Sequence, residues 1–411
     1  MNILHVISQH PESTGSGIYL QHVLRQAARA GHTSYLVAGW SGGDRPELTG
    51  VDAALCRFIR FGDGDLDFAI PGMSDVMPYR SCRFRDLSPE QLDRYETAFA
   101  GAVAKAARDF PIDVVHTHHL WLATAVTRRT LPGYPLVTSC HSTDLRQLIT
   151  CPHLRGRIVP DCRGINRVLA LDPGQVERIS SLYGITPDQI AVAGAGIDRD
   201  CFSFADKQPV PPVHLLYAGK ISLAKGVDWL LRVFAGLRDP AVHLHLAGSG
   251  HGRDEHLCRQ LAAACGDRVT LHGPLSQPVL AGLMRRCHIF VLPSFYEGLP
   301  LVLLEALASG CRLVATDLPG CRHLLDQATE DLVDFVELPA MTAVDRPDDS
   351  AWRLLDGRLA TALRNMIDRT GRLATPRQED GEACLAGSAW QEVFARISAA
   401  YDAASQSQPA A

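Results

Sequence analysis

A strand–helix–strand segment in the C-terminal half restricts the fold of this chain more than any other feature. The pattern predicts an apolar strand over residues 289–292, a helix that begins near Pro300 and ends at Gly310, and a second apolar strand at residues 313–315. Proline suits the first position of a helix, where an N–H has no intrahelical partner, and glycine suits the left-handed residue that ends one. This order of elements predicts a parallel α/β layer.

One glutamate in this helix needs a partner. Glu305 lies among leucine, valine and alanine residues, where an unpaired buried carboxylate would cost several kcal/mol. A second acid, Glu297, lies in the loop before the helix. Free N–H groups at a helix start bind phosphate, and carboxylates can accept hydrogen bonds from ribose or sugar hydroxyls. The segment therefore predicts a site for such groups; the structural alternative is that Glu305 is bridged to an arginine or to backbone amides.

Composition describes an ordinary globular protein of two or three domains. The chain has 411 residues, of which 46% are apolar and 21% charged, and its formal net charge is −5. This acidic balance argues against a nucleic-acid partner, and no apolar run is long enough to span a membrane. The N-terminus predicts a strand rather than a signal peptide, and the 12 cysteines include no C-x-x-C pair. We therefore expect a cytoplasmic protein with free thiols.

The same layout occurs twice along the chain. Residues 3–7 predict a strand, residues 13–17 (STGSG) a loop and residues 18–30 a helix. After a proline-rich break at residues 208–212, a strand, a glycine-containing loop and a helix follow again. Glycine loops between a strand end and a helix start form the phosphate side of doubly wound sheets. The full G-x-G-x-x-G fingerprint is absent from the first copy, which weakens a nicotinamide-cofactor interpretation.

The second copy carries charge that the first lacks. Lys220 and Lys225 flank its loop, and Gly226 allows close approach of the backbone, which suits a diphosphate. The alternative is a pair of solvated surface lysines.

Histidines mark the ends of two predicted strands in the N-terminal half. The strand at residues 113–119 ends in three of them, and alternation places His116 and His118 on one side. His141 and Asp144 follow the next strand, and His141 would lie beside His118 if the strands are neighbours. Because open sheets bind ligands at this edge, His118 is a candidate substrate contact. Histidines bonded to backbone are the structural alternative, and a metal site would need at least one more ligand.

The two acids and the lysine loop resemble a known family. Glu297 and Glu305, with seven residues between them, are similar to the E-x7-E motif of retaining glycosyltransferases with the GT-B fold (glycosyltransferase family 4). Residues 219–226 resemble that family's G-R-x-x-x-x-K-G segment. The likeness covers nearly the whole chain and implies an α/β protein with two Rossmann-like doubly wound domains that face an interdomain cleft. The implied parts are an acceptor-side domain over residues 1–207, a nucleotide-sugar-binding domain over residues 213–385, and a helix over residues 386–403 that crosses back onto the first domain.

The resemblance also implies residue roles. Glu305 would bond the donor's ribose hydroxyls, Glu297 the donor sugar, and His118 the sugar near the reacting carbon. Lys225 joins Glu297 and His118 in the implied catalytic set. The other residues of the implied donor site would act through charge, backbone N–H groups or close backbone approach: Gly15, Gly17, Lys220, Gly298, Leu299, Pro300 and Leu301. We expect the acceptor side to include His141 and Asp144.

Two departures from the family pattern concern the phosphate side. Lys220 stands where arginine is usual, which loses the bidentate fork of the guanidinium. The first loop reads Gly15-Ser16-Gly17 rather than two adjacent glycines.

The implied reaction moves a hexosyl or N-acetylhexosaminyl group from a nucleotide sugar, with UDP-sugars favoured, to an acceptor hydroxyl. Preorganised donors would stabilise the leaving diphosphate, an effect worth about 3–4 kcal/mol per donor. Enzymes of this type are thought to retain configuration by attack on the same face, with the leaving phosphate taking the acceptor's proton. We therefore expect neither a metal nor a cofactor.

Two other functions stay open. A nucleotide-sugar epimerase or hydrolase can share the fold, although the N-terminal half shows no clear set of carboxylates for proton abstraction. A non-catalytic sugar-nucleotide-binding protein would keep the cleft and lose the acids, both of which are present. The acceptor can be a small molecule, a glycan or a lipid-linked molecule, which leaves room for peripheral membrane contact, and the sequence does not give the oligomeric state.

Overall fold

Two structural units make up the chain in a computed structural model that describes residues 1–12, 14–43, 45–75, 77–343, 346–372 and 376–406. The N-terminal unit comprises Met1–Gly196 and a helix near the C-terminus, and the C-terminal unit comprises Ile197–Ala389. The division therefore lies at Gly196, ahead of the proline-rich segment where the sequence placed it. The reason is packing, because Ile197 and Phe202 are buried in the core of the C-terminal unit.

Within the described ranges, the N-terminal unit is built on a seven-stranded parallel sheet. The strands of this unit are β1 (Asn2–Ile7), β2 (Thr33–Trp40), β3 (Cys56–Arg60), β4 (Ile70–Gly72), β5 (Ser81–Arg83), β6 (Val114–His118), β7 (Leu136–Ser139), β8 (Arg167–Ala170) and β9 (Ile190–Val192). Its first helices are α1 (Gly15–Arg29), α2 (Pro89–Asp109), α3 (Leu122–Thr130), α4 (Thr143–Thr150), α5 (Arg155–Cys162) and α6 (Gly174–Tyr183). The sheet order is β3-β2-β1-β6-β7-β8-β9, and β4 pairs with β5 separately.

The C-terminal unit repeats this plan in its described part with a six-stranded parallel sheet. Its strands are β10 (Val213–Ala218), β11 (Val242–Ala247), β12 (Val269–Gly273), β13 (Ile289–Leu292), β14 (Arg312–Thr316), β15 (Val333–Val336), β16 (Met341–Ala343) and β17 (Arg346–Pro347). Its helices are α7 (Val227–Leu237), α8 (Gly252–Ala264), α9 (Gln277–Arg286), α10 (Leu301–Ala308), α11 (Pro319–Leu324), α12 (Trp352–Arg372) and α13 (Gln378–Leu385). The sheet order is β12-β11-β10-β13-β14-β15, and β16 pairs with β17.

Local sequence accounts for these elements. All four residues of β13 are buried, as expected for a central strand covered on both faces. In α2, Ser88 accepts from the N–H of Gln91, and the Gln91 side-chain oxygen accepts from the Ser88 N–H. Pro89 takes the first helical position.

Both sheets are parallel, and each has one switch point at which the strand order reverses. The switch point lies between β1 and β6 in the N-terminal unit and between β10 and β13 in the C-terminal unit. The predicted doubly wound α/β class is confirmed, and these switch points are where such sheets bind ligands.

The last helix, α14 (Trp390–Gln406), belongs to the N-terminal unit. The Trp390 ring stacks on His22 with ring centroids 4.4 Å apart, and the Arg396 Nε donates to the Ala193 carbonyl at 2.8 Å. The returning helix thus begins at Trp390, and residues 386–389 belong to the C-terminal unit. Among the helices of the described residues, none combines the length and the apolar composition needed to cross a membrane.

Candidate active site

In the C-terminal unit, two loops meet at the switch point between β10 and β13. Gly226 precedes α7 with a positive φ of 65°, and a Cβ there would lie 2.1 Å from the Pro293 carbonyl oxygen, so this contact requires glycine. The Phe295 N–H donates to the Ala224 carbonyl across the same contact, at 3.1 Å. The lysine-bearing loop after β10 is thereby held against the acidic loop after β13.

An ion pair joins two residues that the sequence assigned to different parts of the donor. The Lys225 Nζ lies 2.7 Å from Glu297 Oε1 and donates to the Tyr296 carbonyl at 3.1 Å. The two paired side chains are only 26% and 14% exposed. Lys220 is half-buried in the same loop, and its carbonyl accepts from the Tyr217 hydroxyl at 2.6 Å. The structure therefore brings Lys225 and Glu297 together, with Lys220 nearby in the chain.

Glu305 is a half-buried carboxylate in α10. Within the described residues, its side chain makes no hydrogen bond and no ion pair. Burial, and to a lesser degree the charge of Asp198, raise the pKa of Glu305 to about 7. Within the described part of the chain, neither an arginine nor a backbone amide bonds the Glu305 side chain, so the structural alternative is not observed. This side chain is disposed to accept hydrogen bonds from a ligand.

The turn before α10 offers fewer amides than the sequence indicated. The helix begins at Leu301, with Pro300 as its cap rather than its first residue, because the φ and ψ of Pro300 (−80° and 81°) are not helical. The Leu301 N–H already donates to the Leu299 carbonyl at 3.0 Å, and proline has no N–H. A Cβ on Gly320 would lie 1.9 Å from the Gly298 oxygen, so this turn is also packed closely against α11.

In the N-terminal unit, the predicted loop at residues 13–17 is shorter than expected. Thr14 caps α1 by accepting from the Gly17 N–H at 3.0 Å, so Gly15 and Gly17 lie in the first helical turn instead of a loop. A Cβ on Gly17 would lie 2.8 Å from the His10 carbonyl, whereas one on Gly15 would meet nothing within 4 Å. Gly17 therefore serves close packing, and Gly15 faces open space. Ser13 lies outside the described residues.

Four histidines cluster at the switch point between β1 and β6. His5 is the register partner of His116, and the His118 ring stacks on His141 at 5.8 Å, so the predicted neighbouring of those two rings is confirmed. Burial lowers the pKa of His5 and of His141 to about 3 and lowers those of His116 and His118 well below 6.5. All four imidazoles are therefore neutral near pH 7.

The hydrogen bonding of this cluster is incomplete. His116 bonds the hydroxyls of Tyr401 and Ser139, each at 2.8 Å. Both nitrogens of His5 and of His118 have no hydrogen-bond partner within the described residues. Ligand atoms of His5, His116 and His118 lie within 4.8 Å of one another, and His5 is the further ligand that a metal site would need. His118 is 1% exposed, so its assignment to the donor sugar stays a prediction.

Asp144, placed on the acceptor side by sequence, is fully buried and bonded to protein groups. One oxygen accepts from His119 Nδ1 at 2.8 Å, and the other accepts from the N–H groups of Leu120 (2.7 Å) and His141 (3.1 Å). Burial alone would raise the pKa of Asp144, but His119 and these donors lower it to about 2. The carboxylate is therefore ionised and fixed in place.

Sequence reasoning missed Ser16 and His119. The His119 Nε2 lies 2.9 Å from the Ser16 Oγ, so these two side chains and Asp144 form one chain of hydrogen bonds. Ser16 lies in the first turn of α1, His119 directly after β6 and Asp144 in the first turn of α4, so the three residues follow the strands β1, β6 and β7 and are far apart in sequence. The only signal that could have found them is topological, since loops after adjacent parallel strands share an edge.

Two family models match the chain. The model described as Glycosyltransferase Family 4 matches residues 13–200, and the model described as Glycosyl transferases group 1 matches residues 212–343. The second match includes the loops after β10 and β13, and the first includes the end of β6 but only the last residues of the loop after β1.

Three relatives have similar sequences. The chain is 33% identical over 300 residues to the D-inositol 3-phosphate glycosyltransferase of Pseudarthrobacter chlorophenolicus, covering 66% of this chain and 71% of the relative. It is 32% identical over 247 residues to the protein of that name from Arthrobacter sp. (strain FB24), covering 54% of this chain and only 58% of the relative. It is 26% identical over 424 residues to the MMP alpha-(1->4)-mannosyltransferase of Mycolicibacterium hassiacum, covering 95% of each.

Two solved structures are similar over nearly the whole chain. Sucrose-phosphate synthase from Thermosynechococcus elongatus has a TM-score of 0.71 and 18% identity, covering 98% of each chain. Anabaena HepE in complex with UDP has a TM-score of 0.63 and 15% identity, covering 98% of this chain and 100% of the other. At these identities the likeness shows the fold alone.

Proposed function

The chain belongs to the group 1 glycosyltransferases and has the GT-B fold, and we propose that it moves a sugar from a nucleoside diphosphate sugar to a hydroxyl group of an acceptor. The observation that carries the donor assignment is Glu305, a half-buried carboxylate that makes no internal hydrogen bond or ion pair among the described residues. A ribose diol supplies two O–H donors to such a group, and accepting them favours the ionised form.

The Lys225–Glu297 pair supports the same assignment. Without ligand, each charge neutralises the other at 2.7 Å. An arriving diphosphate would compete for the Lys225 ammonium and leave Glu297 able to accept hydrogen bonds from the donor sugar. The diphosphate would thus replace the Glu297 carboxylate as the partner of Lys225. Because the ammonium is already paired before the donor binds, the desolvation cost of binding is limited.

We propose a same-face mechanism that retains configuration. Lys225 and Lys220, with backbone N–H groups of the turn at Gly298 and Leu299, would stabilise the negative charge that develops on the leaving diphosphate. The diphosphate would take the proton of the acceptor hydroxyl. In this scheme no metal and no cofactor acts on the reacting atoms.

The donor and acceptor classes are narrower proposals. We propose a UDP-sugar as donor and a hexosyl or N-acetylhexosaminyl group as the sugar, supported by the UDP complex of the structurally similar HepE. The names of two relatives make D-inositol 3-phosphate the first acceptor to try. The mannosyltransferase relative adds mannose to the sugars worth testing. Glycan and lipid-linked acceptors extend the panel.

The direct test follows the donor sugar in the presence and absence of acceptor. UDP-, GDP- and ADP-sugars are incubated with wild type, Glu305→Ala and the control Glu255→Gln, which alters an acid paired with Arg259 on α8. We expect release of one nucleoside diphosphate that depends on acceptor, is lost in Glu305→Ala and is kept in the control. Conversion of the donor without acceptor would indicate epimerisation or hydrolysis instead, and binding without any turnover would indicate a non-catalytic protein.

A further inference from the structure

A buried tyrosine of β10 contacts the backbone of the loop that carries both lysines of the proposed donor site. Tyr217 is fully buried, and its hydroxyl donates to the Lys220 carbonyl at 2.6 Å. Burial, with a smaller contribution from the charge of Glu297, raises the pKa of this phenol well above its usual value of 10. The hydroxyl therefore keeps its proton, and since a carbonyl can only accept, the direction of this hydrogen bond is fixed.

The peptide group that follows Lys220 is held at both of its polar ends. Its C=O accepts from the Tyr217 hydroxyl, and its N–H, which belongs to Ile221, donates to the Ser249 carbonyl at 2.9 Å. Because a peptide group is planar, these two hydrogen bonds fix the orientation of the whole plane. The strand below the loop and the loop after β11 thus hold one peptide from opposite sides.

The peptide group that precedes Lys220 is held by close packing. A Cβ on Gly248 would lie 1.8 Å from the Gly219 carbonyl oxygen, so the loop after β11 lies directly against this peptide and requires glycine there. Since the peptide planes on both sides are held, the φ and ψ of Lys220 are fixed, and so is the direction of its Cα–Cβ bond. A backbone that is already ordered lowers the entropic cost of binding a ligand.

Lys225, the second lysine of this loop, is held by different contacts. Its ammonium lies 2.7 Å from Glu297 Oε1 and donates to the Tyr296 carbonyl at 3.1 Å. Loss of the Tyr217 hydroxyl would leave both of these contacts in place. The two lysines therefore depend on different anchors, and substitutions can separate their contributions.

We propose that Tyr217 is a positioning residue that acts through Lys220: its hydroxyl holds the backbone so that the Lys220 ammonium is already oriented when the diphosphate of the donor arrives. This role rests on the proposed function, because it belongs to the donor site. Tyr217→Phe removes the hydrogen bond and keeps the aromatic ring, so the packing of β10 is retained.

A double-mutant cycle on the full chain tests this role. Wild type is titrated by calorimetry with UDP, GDP and ADP, and the cycle uses whichever binds most tightly. Tyr217→Phe should weaken binding about fivefold to tenfold, and Lys220→Ala about 10–100-fold, as expected for a hydrogen bond from a charged group. The double variant Tyr217→Phe/Lys220→Ala should bind as Lys220→Ala does, because no ammonium is left to orient.

Two controls separate positioning from stability and from the rest of the loop. Ser388→Ala removes another buried hydroxyl of the C-terminal unit, one that donates to the Leu385 carbonyl at 2.6 Å. It should lower the melting temperature, as Tyr217→Phe does, without changing the affinity. In Tyr217→Phe/Lys225→Ala, the loss caused by Tyr217→Phe should persist in full, because Lys225 does not depend on the same anchor.

Several results would overturn this role of Tyr217. They are an unchanged affinity in Tyr217→Phe, an equal loss in Ser388→Ala, and a double variant with Lys220→Ala that loses affinity by the product of the two single losses. Non-additive losses with Lys225→Ala would also overturn it, since the hydroxyl would then act on the whole loop. A wild type that binds none of the three diphosphates would contradict the proposed function itself, whereas wild-type binding with additive losses contradicts the role of Tyr217 alone.

Discussion

The two switch points share one layout and differ in charge. In the N-terminal unit, the strand ends at β1 and β6 carry buried neutral imidazoles, among them His5 and His118. In the C-terminal unit, the loops after β10 and β13 carry an ion pair, Lys225–Glu297, and α10 adds the carboxylate of Glu305. The repeated strand–loop–helix order sets where a ligand can bind, and the residues in the loops set which charge it meets. We therefore expect a diphosphate to bind at the switch point of the C-terminal unit rather than at that of the N-terminal unit.

The largest expected effect comes from removing the positive charge of Lys225 at the switch point of the C-terminal unit. Lys225→Ala should lower kcat/KM for transfer about 10²–10³-fold, since a preorganised donor to a developing negative charge is worth about 2.7–4 kcal/mol. The matched control is Arg259→Ala, which removes a cation from an exposed pair on α8 in the same unit. Steady-state kinetics with the identified donor measure both. A loss smaller than threefold in Lys225→Ala would show that the charge of the C-terminal switch point does not serve the transfer reaction.

Because the buried histidines at the switch point of the N-terminal unit are neutral, we expect this unit to lose stability at acidic pH. Burial lowers the pKa of His5 to about 3, so the folded state binds fewer protons than the unfolded state between pH 6.5 and that value. The stability from this group is complete above pH 6.5 and is lost as pH falls, by about 1.4 kcal/mol per pH unit. His5→Leu should remove that slope, because it replaces two unbonded buried nitrogens with apolar atoms.

Denaturant unfolding at pH 8, 6 and 5 measures this difference. His5→Leu should match or exceed wild type at pH 8 and gain on it at each lower pH. The exposed His256 on α8, changed to leucine, is the control. Equal slopes for wild type and His5→Leu would mean that His5 is charged or ligated in the folded protein.

At the switch point of the C-terminal unit, Glu305 should make the free energy of unfolding depend on pH in the opposite direction. Burial raises its pKa to about 7, so the folded state binds more protons than the unfolded state above pH 4.5. This destabilisation is absent below pH 4.5 and complete above pH 7. Glu305→Gln should therefore raise the free energy of unfolding by about 1–3 kcal/mol at pH 8 and by nothing at pH 4. Thermal melts across this range check it, and a stabilisation that does not change with pH would contradict the assignment.

Glycine substitutions compare the close packing at the two switch points, and Gly15→Ala among them should have the smallest effect. Gly17→Ala and Gly226→Ala each place a Cβ within 2.8 Å or less of a carbonyl oxygen, so each should cost about 1–3 kcal/mol of stability. Gly15→Ala adds its methyl to open space in a helix and should gain about 0.5–1 kcal/mol. Denaturant midpoints compare the three. A stable Gly17→Ala would show that α1 can move away from the loop after β1.

Much of the fold could be predicted because it rests on local patterns. Buried parallel strands are apolar runs, so β13 and its partner strands were evident, and the neighbouring of His118 and His141 followed from adjacent strand ends. The start of α1 was missed because one side chain, Thr14, decides it by capping. The unit boundary was missed because Ile197 joins a core formed by distant residues.

The site was harder to predict than the fold. A mid-helix carboxylate among apolar residues identified Glu305 without any contact information. The ion pair of Lys225 with Glu297 depends on how two loops fold against each other, and no spacing in the sequence encodes it. The same holds for the chain from Asp144 to Ser16, whose members meet only because β1, β6 and β7 are neighbours.

The most direct test of the central claim is calorimetric titration of UDP into wild type and Glu305→Gln at pH 7, in two buffers with different heats of ionisation. If the ribose hydroxyls bond the Glu305 carboxylate, binding stabilises its ionised form, so wild type should release a fraction of a proton and bind more weakly at lower pH. Glu305→Gln should release none and bind about tenfold more weakly. Equal affinity and equal proton release in the two proteins would contradict the assignment of Glu305 to the donor.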